Sequence, residues 1–500
     1  MQWLLIIVSS LVLFAVAPYA RTAGEFFGGR RQDKQPGQIA LIASLVISWL
    51  FAKSLTNAAD LGLVFGLVGG VAYAAYYLSF AVAGHVIHGM RTRGGFRSIH
   101  HFLAGRFGRG AVVIFSLLIS FRLFNEVWSN TMVIGSYFGA PGEDAYLLAV
   151  VVFTLLTLAY SLKGGMSSSI LTDVIQMVFF GVLIVIVLGA ILPKTNYNVG
   201  AFLNSGTWGW AAGGNLLLVA VLQSFSYPFH DPVMTDRGFL SDPQTTRRAF
   251  MWAAVIGFLC ILLFSFVGIY GGMVGAEKPA AVAVATLLGT PLLLVMNFIM
   301  ITSAASTLDS TFTSFAKLAV VDMGPSTSSG GGGAAGAMSG REAREELLDG
   351  WELGERDTSE ELATLNASEE PSRGFSAQSV SAGRWAMVVI TILGTVPVFF
   401  SPEVLKATTV SGAMVMGLGP VFCLWWIKAP PLSFYLSVGF GLLCGILLVL
   451  GVWPEALWLT TGKYADLLSV TVVEFVGCLG LYLAGAYLGG EQSITKNNPS

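Results

Sequence analysis

Ile299-Met300-Ile301-Thr302-Ser303-Ala304-Ala305-Ser306-Thr307-Leu308-Asp309-Ser310 lies inside an apolar run long enough to cross a membrane, yet it is dense in hydroxyls. At 3.6 residues per turn, Ser303, Ser306 and Thr307 fall on one face of a helix. Ser310, Thr313, Ser314 and Lys317 continue that face toward a basic end. Three hydroxyl oxygens within one turn suit a small hard cation that has shed its water, because such ions take oxygen ligands. The competing reading is that each hydroxyl bonds back to its own helix or glues a neighbouring one, which is common in membrane bundles. For the stripe as a whole, with Asp309 on it, the expectation is an ion site.

The rest of the chain puts this stretch in a bilayer. Of 500 residues, 54% are hydrophobic and 11% charged, and the mean hydropathy is +0.72. That composition belongs to integral membrane proteins. A net charge of −2, with no basic cluster, argues against nucleic-acid binding. Cys260, Cys423, Cys444 and Cys478 all sit in apolar runs without CxxC spacing, so they read as helix-packing residues. Apolar runs predict about thirteen spans, near 2–18, 38–57, 61–88, 110–137, 145–161, 168–192, 212–230, 249–274, 284–320, 384–400, 404–427, 432–452 and 466–488.

Lys and Arg distribute unevenly between these runs. Arg21, Arg30, Arg31 and Lys34 follow the first, Arg91, Arg93, Arg97, Arg106 and Arg109 the third, and Arg237, Arg247 and Arg248 the seventh. The bias places the N-terminus outside and the C-terminus in the cytoplasm of a plasma (inner) membrane protein. Met1 to Ala17 lacks a basic leader segment and reads as an anchor. Gly324 to Gly383 is rich in Ser, Gly, Ala and Glu and predicts a disordered cytoplasmic loop. Within it, Leu347, Leu348, Trp351 and Leu353 have the spacing of a short amphipathic helix, and Asn366-Ala367-Ser368 is a chance glycosylation match.

Ionisable side chains inside spans are costly and mark cavities or pathways. The second span carries Ser48, Lys53, Ser54, Thr56, Asn57 and Asp60, and the fourth Arg122, Asn125, Glu126 and Asn130. The sixth opens with Thr172, Asp173 and Gln176. The seventh ends in Ser224-Phe-Ser-Tyr-Pro-Phe-His-Asp-Pro, where Pro228 and Pro232 cannot continue a helical ladder. Spans two to six and seven to eleven form two blocks of five, each opening on an interrupted helix. That is the mark of an inverted-repeat transporter. Arg122 and Glu126, four apart, have a plain alternative as a local ion pair.

Five segments, in order, resemble the sodium:solute symporter family. Glu25-Phe-Phe-Gly-Gly-Arg30 is similar to its "DYFLAGR" motif, and Leu45-Val-Ile-Ser-Trp-Leu-Phe-Ala-Lys-Ser-Leu-Thr56 to "VASWTWAATLL". Phe102-Leu-Ala-Gly-Arg-Phe-Gly108 resembles "YLxxRFG", and Gly164 to Gln176 resembles "GGxxAVxxTDxxQ". Ser303 to Ser310 resembles "AAxMSTxDS". The resemblance implies a LeuT-type all-α polytopic fold with a 5+5 inverted repeat. It sets an extra helix at 1–20, repeats at 38–192 and 212–427 (the latter carrying the 324–383 loop), and two final helices within 432–490.

The same resemblance implies a sodium ion held by the carbonyls of Ile47 and Leu50 and by Ser303, Ser306 and Thr307. It sets Asp173 near the inner end of the ion pathway, where Asp309 also lies. Candidate solute contacts are Lys53, Glu126, Ser226, Tyr227 and Asp231, with Tyr227 as an aromatic lid. Lys53 departs from the family pattern. It tilts the expected small organic solute toward an anion, or pairs with Glu126 or Asp60, or stands in for a cation. The expected function is Na+-coupled import by alternating access in a lipid bilayer, with no catalytic residues and no required oligomer. The alternatives are proton-coupled or sodium-independent transport by the same fold, and a transporter-like membrane sensor.

Overall fold

The computed structural model describes residues 1–30, 34–323, 377–400 and 411–495. Its elements are helices, the open-ended structure that lets a chain satisfy its own backbone polar groups in hydrocarbon. Those that build the bundle and its breaks are α1 (Gln2–Val16), α2 (Gln38–Trp49), α3 (Ala52–Phe65), α4 (Leu67–Thr92), α5 (Arg109–Gly135), α6 (Asp144–Ile191), α7 (Gly214–Gln223), α8 (Pro232–Arg237), α9 (Pro243–Met273), α10 (Thr290–Lys317), α11 (Ala377–Thr395), α12 (Leu418–Cys423), α13 (Pro431–Val449) and α14 (Ala465–Thr495), with shorter helices such as Ile99–Phe107 and Ala280–Leu287 between them. Among the described residues, eight helices are long and apolar enough to cross a bilayer, or nine when the bent pair α2 and α3 counts as one span.

The difference from thirteen has physical sources. At 1.5 Å per residue the 48 residues of α6 would run ~72 Å if straight. They are instead two helices meeting at Gly165, whose φ of 55° and ψ of −139° are not helical. A Cβ there would collide with the Phe26 carbonyl, so the bend requires glycine. With 15 and 10 residues, α1 and α7 are short for a crossing.

Boundaries moved as well. Helix α3 runs on to Phe65, and the chain turns at Gly66 (φ 63°) before α4, beyond the gap between the runs 38–57 and 61–88. Helix α11 begins at Ala377, inside the stretch read as loop. The amphipathic stretch at 347–353 and the sequon at Asn366 lie outside the described residues.

Two helices are broken. Between α2 and α3 the axis bends by 61° at Leu50 and Phe51. Between α7 and α8 the chain passes through Ser224 to Asp231, with a short 3-10 turn at Tyr227–His230. Helix α10 packs along α6 and α5 and touches α2, so the hydroxyl stripe faces protein. Helix α3 lies against α9 with backbone touching backbone. Gly62 opposes the Ser265 carbonyl, and Gly268 opposes that of Ala59. Close approach through small residues is how membrane helices gain packing without a hydrophobic drive between them.

Candidate ion and solute site

Breaking a helix frees amides and carbonyls that must find partners inside the protein. At the first break, the Lys53 amide donates to Asn130 Oδ1 at 3.2 Å and the Trp49 carbonyl accepts from the Tyr77 hydroxyl at 2.7 Å. Asp231 caps the start of α8 at the second break, its Oδ1 accepting from the amides of Val233 (3.0 Å) and Met234 (3.3 Å). Helix α5 serves both breaks, supplying Asn130 to one and Arg122 to the other.

Four buried charges join the breaks through α5. Lys53 Nζ lies 2.8 Å from Glu126 Oε1 and 3.1 Å from Ser129 Oγ. Arg122 also pairs with Glu126 Oε1, and its Nη2 lies 3.2 Å from Asp231 Oδ2. Trp49 Nε1 donates to the same Asp231 oxygen at 3.0 Å, while Asn130 Nδ2 donates to Glu126 Oε2 at 2.9 Å. Each of the four charged side chains is at most 4% exposed.

Lys53 therefore takes Glu126 as its partner. Asp60 lies apart, accepting from the Ala280 amide at 2.8 Å. His230 and Asp231 are buried. Of the expected solute contacts, Lys53, Glu126, Tyr227 and Asp231 come together. Ser226 turns to the Gln223 carbonyl (3.2 Å) and Met416 Sδ (3.5 Å).

Beside this chain of charges lies a cavity of about 20 Å³, room for about one water. Trp49, Phe51, Tyr73, Tyr76, Tyr77 and Tyr227 line it together with Ser54. Trp49 meets Tyr227 edge-to-face at 5.6 Å between centroids and Tyr77 at 5.7 Å. The Arg122 guanidinium sits 5.2 Å from the Tyr227 ring centre and 5.4 Å from that of Phe51.

On α10 the three expected hydroxyls are buried and behave differently. Thr307 Oγ1 bonds back to the Ser303 carbonyl at 3.0 Å, the local alternative considered above. Ser306 Oγ donates to Asp173 Oδ1 at 2.5 Å. Ser303 Oγ is buried and has no hydrogen-bond partner among the described residues. Facing them, α2 touches the same helix through Ser48 Oγ and Ser310 Oγ, 3.0 Å apart. Among the described residues, no backbone amide bonds to the Ile47 or Leu50 carbonyl across the break.

Asp173 is fully buried and heavily used. Its Oδ2 accepts from Ser44 (2.5 Å) and pairs with Arg237 Nη2 at 3.1 Å. The same guanidinium reaches Ser310 (2.8 Å), Ser48 (3.3 Å) and Ser169 (3.4 Å). Asp309 Oδ2 accepts from Thr172 at 3.1 Å. Arg237, on α8, thus ties the second break to α2, α6 and α10.

Sequence reasoning passed over Arg237, Trp49 and the α4 tyrosines. Tyr73, Tyr76 and Tyr77 do carry a signal, since i, i+3, i+4 spacing of rings with polar tips inside a span places three hydroxyls on one face. Arg237 was counted among the charges of a loop.

No family model matches the chain. Mouse (Mus musculus) sodium/glucose cotransporter 4 is 28% identical over 174 residues, covering 33% of this chain and 24% of that protein. The matched stretch is thus about a quarter of the relative's length. Among solved structures, the chain resembles a Na+-coupled sialic acid symporter in a substrate-bound outward-open state, with a TM-score of 0.65 and 14% identity over 97% of this chain and 98% of the other. It also resembles Mhp1, a nucleobase-cation-symport-1 family transporter closed around bromovinylhydantoin, with a TM-score of 0.53 and 12% identity over 96% of each chain. MhsT in complex with L-phenylalanine gives a TM-score of 0.50 and 13% identity over 94% of this chain and 99% of the other. The fold is that of these LeuT-type proteins.

Proposed function

We propose that this multi-pass membrane protein is a sodium:solute symporter that imports a small organic solute by alternating access, with α2 to α12 forming two inverted five-helix repeats. The chain crosses the bilayer thirteen times, N-terminus outside and C-terminus in the cytoplasm, in keeping with its Lys and Arg bias. The observation that carries this reading is the Ser303 hydroxyl, buried and unpartnered on the hydroxyl face of a helix that touches the broken α2–α3 element. A buried oxygen that accepts no hydrogen bond has lone pairs a hard cation can use.

Sodium is bound by the carbonyls of Ile47 and Leu50 with Ser303, Ser306 and Thr307. Its charge offsets the free carbonyl end of α2 and draws the break against α10. The inner end of the ion pathway runs past Asp173 and Asp309. Solute binds between the breaks, near Lys53, Glu126, Tyr227 and Asp231, once the aromatic cavity opens. The transport step then rocks the two bundles about the site. Each ion contributes ~2.3 kcal/mol per 100 mV of membrane potential.

The test is uptake into proteoliposomes from a solute panel, with and without an inward sodium gradient. Uptake that requires the gradient supports symport. Uptake that ignores sodium and follows pH replaces it with proton coupling. One observation favours sodium independence as a second reading: the Arg237 guanidinium already neutralises Asp173 as a tethered cation. Uptake unaffected by sodium and by pH is its signature.

A further inference from the structure

We propose that the solute is uncharged, a compact ring-bearing molecule with hydrogen-bonding groups, and that Glu126 sets this preference. The inference rests on the transporter reading above and names the solute class of that site.

The argument is charge accounting within one buried cluster. Lys53 and Arg122 supply two positive charges, and Glu126 and Asp231 two negative ones. Glu126 Oε1 faces both cations. Asp231 Oδ2 holds Arg122 and Trp49, and its Oδ1 caps α8. An anionic solute would have to take a cation from one of these carboxylates and leave that carboxylate buried without a counter-charge. Breaking a buried pair in this way is strongly unfavourable. A cationic solute meets the mirror-image problem.

An uncharged solute disturbs none of these pairs and finds neutral groups still free. Tyr76 donates to Gln223 Oε1 at 2.9 Å, which leaves Gln223 Nε2 buried and unpartnered. His230 Nε2, on a ring 4.7 Å from that of Tyr227, is also buried, and neither nitrogen has a partner among the described residues. Gln223 and His230 thus contact Tyr76 and Tyr227, whose rings line the cavity with those of Trp49 and Tyr77. Aromatic walls take the flat face of a ring, and the free nitrogens take its carbonyl or hydroxyl groups. The expectation that Lys53 selects an anion loses its ground once Glu126 is seen to neutralise it.

Calorimetric titration of the purified protein in sodium chloride tests this with neutral and acidic partners of one skeleton: nicotinamide and nicotinate, benzamide and benzoate, D-glucose and D-glucuronate. In the wild type, at least one neutral member binds, more tightly than its acid by about tenfold or more. Glu126→Gln leaves two cations against one carboxylate, and the ratio shifts toward the acid by about tenfold. Tighter binding of an acid by the wild type overturns the proposal. So does binding of no neutral member, or an unchanged ratio in a Glu126→Gln protein that elutes as a single folded species. Should that variant not fold, the wild-type ratios decide alone. Repeating the titrations in potassium chloride separates the two readings. Neutral binding indifferent to sodium removes sodium coupling and leaves this inference, whereas sodium-dependent binding of an acid does the reverse.

Discussion

Arg237 Nη2 lies 3.1 Å from Asp173 Oδ2, and neither side chain is exposed at all. The pair fastens the short helix after the second break to α6, and through Ser44, Ser48 and Ser310 to α2 and α10. Four elements, α2, α6, α8 and α10, therefore meet at one guanidinium.

Removing one partner of this pair leaves the other as a buried uncompensated charge, which costs about 3–5 kcal/mol. Arg237→Ala should accordingly lower the melting temperature in detergent markedly. Adding Asp173→Asn to it should recover part of the loss, because the orphaned carboxylate is gone. A double variant no more stable than Arg237→Ala would mean that the ion pair is not what holds these helices.

Lys53 and Glu126 predict a similar non-additivity nearer the solute. Lys53→Met and Glu126→Gln each break the 2.8 Å pair, and residues in direct contact couple by about 0.5–3 kcal/mol. The double variant should be less destabilised than the sum of the singles. Additive melting shifts would show that Glu126 serves Arg122 alone.

Ser303→Ala should move stability and sodium affinity in opposite directions. The hydroxyl is buried without a partner, and an unsatisfied group of that kind costs about 1–3 kcal/mol. In sodium-free buffer its removal should raise the melting temperature slightly. In sodium the stabilisation by the ion should shrink, because one ligand is lost. A fall in melting temperature without sodium would point to a hydrogen bond at Ser303 in solution.

Gly268 faces the Ala59 carbonyl where α9 and α3 touch. Gly268→Leu has no room for its side chain and should abolish the monodisperse folded fraction in size-exclusion chromatography. Normal yield and elution would show that these helices stand further apart than described.

How much of this was legible in the sequence differs from residue to residue. Hydroxyls at 303, 306 and 307 declared themselves because small polar groups at helical spacing have little business in an apolar run. Pro228 and Pro232 marked the second break for the equally local reason that proline cannot donate to the ladder. Lys53 and Glu126 stood out as costly charges, but their pairing is a matter of tertiary geometry that spacing along the chain does not encode. The α4 tyrosines hid because an aromatic ring in a span reads first as packing. Arg237 hid because the helix that carries it, six residues after a break, is too short to show a period. The turn at Gly165 was foreseen as a gap between spans, though not that two helices would meet there with one residue between them.

Sodium binding itself tests the central claim most directly, since it needs no knowledge of the solute. Radioactive sodium should bind the purified wild-type protein saturably and be displaced by unlabelled sodium but not by potassium. Thr307→Ala and Ser306→Ala should each weaken that binding by about tenfold or more, the loss expected for one buried oxygen ligand to a charge. A folded wild-type protein with no saturable sodium binding, or variants that bind as tightly as the wild type, would contradict the account.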